Sequence, residues 1–178
     1  MEQSMLPTQV MLSAALFTWL GICMIFDLRS REVPAPLTVI PLILAGIWRL
    51  LQGSWMLVLL TVLLILISDL RGAKWRIPVG CCAAVAGIFI ARSPDTTYAM
   101  LVVFAVWALW EIGATGGADA KIIIALVLLF ADGLLFIPIV LIGGVQGLAA
   151  LIAQRKTIPY TVAITLGTAT WLWMVFVH

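Results

Sequence analysis

Residues 113–135 read "GATGGADAKIIIALVLLFADGLL", and the interpretation of this stretch decides the fold. Three glycines, Gly113, Gly116 and Gly117, precede Asp119 and Lys121; an unbroken apolar run follows and stops at Asp132-Gly133, a turn signature. The run is shorter than the roughly 20 residues that cross a bilayer, and too apolar for a helix with one water-facing side. It is either a helix shielded by other helices or one arm of a re-entrant hairpin.

Working outward, apolar segments recur over the whole chain. Of its 178 residues, 64% are hydrophobic and 10% charged, and the mean hydropathy of +1.20 lies far above that of water-soluble domains. No polar block is long enough to fold on its own. These features predict an all-α, polytopic integral membrane protein, a helical bundle of about eight (six to eight) transmembrane segments that forms a single membrane-embedded domain over residues 1–178. Hydropathy and chain breakers place the segments at residues 10–26, 36–51, 55–68, 77–91, 97–112, 120–131, 134–153 and 158–177.

Basic residues test that layout, because they collect on the cytoplasmic side. Arg29, Arg31, Arg71, Lys74, Arg76, Lys121, Arg155 and Lys156 fall in alternate loops on one face, with Arg49 and Arg92 on the other. Both termini are then expected outside, and the loops after the first, third, fifth and seventh segments face the cytoplasm. A re-entrant hairpin at residues 120–131 would carry Arg155 and Lys156 outside, so the charge pattern favours two passes. The N-terminus "MEQSMLPTQV" lacks a basic n-region, and no cleavable signal peptide is expected.

Several classes of function are excluded at this level. Cys23, Cys81 and Cys82 lie in apolar runs without Cys-x-x-Cys spacing, and the lone histidine, His178, has no partner for a metal. Neither a disulfide framework, a metal site nor another cofactor is expected. A net charge of +2, scattered along the chain, gives no footprint for nucleic acid.

What remains is a pair of carboxylates. The first cytoplasmic loop reads "FDLRSREVPAPLT" and the third "GATGGADAKIII", each with an aspartate at the membrane boundary, Asp27 closing the first segment and Asp119 opening the sixth. An acidic side chain there is costly unless paired, solvated or used. Two carboxylates at one depth on one face can share a site in which one keeps its proton, supplying a general base and a general acid to one water. Gly116 and Gly117 remove side chains beside Asp119, so that another backbone or an extended substrate can approach. Hydrolysis of a peptide bond within a membrane needs such an edge, because a helical substrate must unwind before water reaches its carbonyl.

These residues resemble the prepilin peptidase family of GxGD-type aspartic membrane proteases, which includes the archaeal preflagellin peptidases. The first shared motif is Asp-Leu-Arg followed by Val-Pro and Leu-Thr, here "DLRSREVPAPLT"; the second is Gly-x-Gly-Asp-x-Lys, here "GGADAK"; and "IPYTVAITLG" looks like the start of the family's last helix. The resemblance implies that Asp27 and Asp119 are the catalytic aspartates. It further implies removal of short basic leader peptides from type IV prepilin-like or archaellin-like precursors at the cytoplasmic membrane face, commonly after glycine. Ala118 stands where the family has glycine before the second aspartate, and Ala35 where it has asparagine after the first motif's proline. The cysteine-rich insert that the bifunctional bacterial members use for N-methylation has no counterpart.

Other polar residues admit plainer roles. Asp27 can be a solvated loop carboxylate paired with Arg29 or Arg31, and Asp119 a helix N-cap. Lys121 reads as an interfacial anchor that can also act on Asp119. Asp69, also followed by Leu-Arg, is expected to pair with Arg71 or Lys74. Glu32 and Glu111 lie near the expected site and can bind a basic leader. Asp132-Gly133 reads as a turn, and "GGVQG" in the seventh segment as a close helix contact. The competing functions are a cation- or proton-coupled transporter, with Asp27 and Asp119 in a cavity of broken helices, and a catalytically silent membrane assembly subunit. Expected partners are the lipid bilayer and a prepilin-like substrate.

Overall fold

The computed structural model of the chain describes residues 5–69, 75–91, 93–153 and 159–177. They form eight α-helices, and no strand occurs among the described residues. The helices are α1 (Met5–Ser30), α2 (Ala35–Leu51), α3 (Trp55–Asp69), α4 (Arg76–Ile90), α5 (Pro94–Glu111), α6 (Gly117–Phe130), α7 (Phe136–Ile152) and α8 (Tyr160–Val177), with a 3-10 turn at Gly133–Leu135. The expected all-α class is the one adopted.

Helix ends follow local chemistry more closely than hydropathy. α5 begins at Pro94 because Ser93 caps it, its hydroxyl accepting from the Thr96 N–H at 3.3 Å, and proline is pre-organised for the first helical position. α1 continues past the apolar run through Asp27 to Ser30 and closes at Arg31, which takes the left-handed conformation (φ 56°). Asp27 therefore lies in the last turns of a helix, not in the loop expected from Phe26 onward.

The chain divides into two compact units, Met1–Leu37 with Pro138–His178, and Thr38–Ile137. In the first, α1 packs against α8. Leu16, Leu20 and Cys23 form a buried stripe at helical spacing on α1, and Asp27 continues it by one further turn. The matching stripe on α8 is Thr161, Ile164, Thr168 and Leu172. Gly167 lets α7 come close: a Cβ there would stand 2.6 Å from Ile139 Cα. Pro41 has no N–H to give the carbonyl of Leu37, and that carbonyl accepts instead from the Trp19 indole at 2.7 Å.

In the second unit α3 packs with α4, α5 and α6, and α5 with α4 and α6. Residues Ile122 to Leu128 of α6 are all buried, so this helix has no exposed side over two turns. That explains how a 14-residue helix, about 21 Å long, is so uniformly apolar. Its C-terminal carbonyls are covered by Arg49 of α2, whose Nε donates to Leu128 O at 2.6 Å and Nη2 to Leu129 O at 3.3 Å, while Nη1 meets Gln52. Arg49 is thus a buried cap on α6, where the charge pattern gives only a cation near the outer end of the 36–51 segment.

Residues 11–30 and 133–152 are each long and apolar enough to cross a membrane, and the shorter helices α2, α3, α4 and α8 are also apolar. Large apolar side chains point outward on many of them: Leu51 is 79% exposed, Phe89 85% and Ile152 77%.

Candidate functional site

The second aspartate sits in a turn that the glycines build. α5 ends in a Schellman motif: the N–H of Gly113 bonds to Trp110 O at 3.0 Å and that of Ala114 to Leu109 O at 2.9 Å. Gly113 holds φ 76°, the left-handed conformation the motif requires. α6 then starts from Gly116 as N-cap, in extended backbone, with Asp119 third in its first turn. The N-cap role considered for Asp119 belongs to Gly116, and Asp119 takes the position from which an acidic side chain reaches back over the cap. A Cβ on Gly116 would stand 3.1 Å from Asp119 Oδ2, and one on Gly117 would stand 3.1 Å from Trp110 Nε1.

The space beside these two glycines is accordingly occupied by the motif's own side chains. The absence of Cβ atoms lets the Asp119 carboxylate and the Trp110 indole approach the turn closely. Lys121, one turn in, places Nζ 5.8 Å from the Trp110 ring centroid, a cation–π arrangement. Glu111, at the end of α5, is joined to Arg76 at 3.2 Å, and its side chain is only 6% exposed. It is not an open carboxylate. Glu32, in contrast, is exposed just past the end of α1.

Asp27 belongs to the first unit and is half-buried. Its Oδ2 accepts from the Thr161 hydroxyl at 2.6 Å and lies 3.3 Å from the Thr161 backbone N. The length suits a hydroxyl donating to a carboxylate. Neither Arg29 nor Arg31 supplies these contacts. The partner is the second residue of α8, in the first turn, where backbone N–H groups lack helical acceptors. The same helix start is tied to α7, since Gln146 Nε2 donates to Pro159 O at 3.1 Å. Gly143 clears the Tyr160 ring, 2.6 Å from where its Cβ would be.

Thr161 and Gln146 were not among the residues singled out from sequence. "IPYT" does carry a helix-start signature, proline followed by threonine, but nothing in it names the acceptor. The expected pairing of Asp69 with Arg71 or Lys74, and the positions of Arg92, Arg155 and Lys156, lie outside the described residues. Asp132 caps the 3-10 turn, its Oδ1 accepting from Leu134 N–H at 2.8 Å. Comparison of the chain with protein-family models, with curated proteins and with solved structures found no significant match.

Proposed function

We propose that the chain is an intramembrane-type aspartic endopeptidase of the cytoplasmic membrane, removing short basic leaders from prepilin-like precursors at the cytoplasmic face. The observation that carries this reading is the occurrence, in one apolar helical chain, of two boundary aspartates in the motifs "DLRSREVPAPLT" and "GGADAK". The local geometry supports it. Each carboxylate lies at a helix end and is half-buried, Asp27 on the start of α8 and Asp119 in the first turn of α6. The many outward apolar side chains support a bilayer as the surrounding medium. The multi-pass arrangement, with both aspartates cytoplasmic, is part of the proposal and rests on the distribution of basic residues.

In the proposed reaction a water attacks the scissile carbonyl while one aspartate takes its proton. The other aspartate, protonated at that moment, gives its proton to the leaving amine as the C–N bond breaks. Glu32 is the exposed carboxylate available to a basic leader.

Purified chain in lipid vesicles, mixed with a prepilin-like precursor bearing a basic leader and a glycine at the junction, tests the reading. Leader removal that needs both Asp27 and Asp119 is expected. Ion flux without cleavage would point to a transporter, and tight binding with neither outcome to an assembly subunit.

A further inference from the structure

We infer that Thr161 is a positioning residue for Asp27, one that fixes which carboxylate oxygen does the chemistry; the inference rests on the endopeptidase reading. Both contacts from Thr161 fall on one oxygen, Oδ2, with the hydroxyl at 2.6 Å and the backbone N at 3.3 Å. A carboxylate gripped at a single oxygen cannot turn about its Cβ–Cγ bond without losing the hydroxyl bond. Oδ1 is thereby set in one direction as the oxygen that receives or delivers the proton.

Such a grip works only if the gripping residue is itself immobile. Thr161 is 2% exposed and sits on the α8 stripe that packs on α1. The residue two positions before it is held by Gln146 from α7, and the intervening Tyr160 ring fills the gap over Gly143. The start of α8 is therefore fixed from α1 on one side and α7 on the other. Positions 27 and 161 are 134 residues apart in the chain, so the contact is a product of the antiparallel α1–α8 pairing rather than of any local motif.

A second hydroxyl donor, the Thr165 side chain, bonds to the carbonyl of Thr161 and serves the helix. The hydroxyls of Thr165, Thr168 and Thr170 each return to a carbonyl one turn back, whereas Thr161, second in α8, has no helical carbonyl behind it and gives its hydroxyl to Asp27.

The test uses the full chain in vesicles with the precursor described above. Thr161→Val keeps the shape and removes the donor; kcat is expected to fall about 10- to 100-fold, with KM changed less than about twofold. Thr161→Ser restores the hydroxyl and is expected to keep kcat within about threefold of wild type. If Thr161→Val does not fold, Thr161→Ala carries the same expectation. Full kcat per folded molecule in the valine or alanine variant, or a serine variant as slow as valine, overturns the positioning role while leaving the endopeptidase reading intact. Absence of cleavage by the wild-type chain overturns the endopeptidase reading itself, and the positioning role with it.

Discussion

The carboxylate of Glu111 meets the guanidinium of Arg76 at 3.2 Å, joining the last residue of α5 to the first of α4. Each charge alone is on the wrong end of its helix, since an anion at a C-terminus and a cation at an N-terminus both oppose the macrodipole. Together they offset one another, and with Glu111 almost covered the pair is more than a surface contact.

The first prediction separates the two glutamates. Glu111→Gln leaves Arg76 without its anion and is expected to cost about 1–3 kcal/mol, read as a lower melting temperature in detergent. Glu32→Gln, at an exposed position, should change stability by less than about 0.5 kcal/mol. It should instead raise KM for a basic leader and leave KM for a neutral leader alone. An unchanged KM for the basic leader in the Glu32 variant would remove that residue from substrate recognition.

Arg49 carries the second prediction. Its guanidinium serves two carbonyls at the end of α6 and the side chain of Gln52 from a buried position. Arg49→Met keeps the volume but leaves those carbonyls uncovered, at an expected cost of about 2–3 kcal/mol. Arg49→Lys retains a charge but not the planar fork, and should fall between wild type and methionine. A methionine variant melting with wild type would mean that the α6 carbonyls find other donors.

The C-terminal ends of α5 and α6 give a third, in which the sign of the effect is the test. Gly113 and Ala131 both adopt left-handed backbone, at φ 76° and 49°. Gly113→Ala adds a Cβ that this conformation disfavours and should cost about 1 kcal/mol. Ala131→Gly removes the same strain and should leave the melting temperature unchanged or raise it, despite glycine's larger entropy in the unfolded chain. Shifts of the same sign would show that another contact dominates at one of the two positions.

The helices were legible because apolar runs here are long and their breakers strong: Pro94 after Ser93, Gly113 after α5 and Asp132-Gly133 after α6 each end or begin an element for a local reason. The shortness of the run before Ala131 also gave away a shielded helix, and α6 is covered on every side over residues 122–128. Finer placement was less legible. Asp is a better N-cap than Gly, so propensity alone puts the cap at Asp119, three residues beyond Gly116 where the Schellman turn delivers the chain. Arg49 reads only as a cation near the outer end of the 36–51 segment, because sequence does not reveal that α6 ends beside it. The grip of Thr161 on Asp27 spans most of the chain and leaves no local signature.

The last prediction concerns the two aspartates. General acid–base catalysis by a pair requires one carboxyl charged and the other protonated when water attacks. Asparagine nearly preserves shape and still hydrogen-bonds, but it cannot exchange that proton. Asp27→Asn and Asp119→Asn should each lower cleavage by about 10³-fold or more while the protein remains folded, since each such role contributes about 10²–10⁴. The matched control is Asp69→Asn, also an Asp-Leu-Arg aspartate and the last residue of α3, but without a glycine cluster partner. It should retain most activity, and Asp27→Asn should keep its melting temperature to within the loss of one hydrogen bond to Thr161, about 1 kcal/mol. An inactive Asp69→Asn beside a normally cleaving Asp27→Asn would transfer the first catalytic role from α1 to α3.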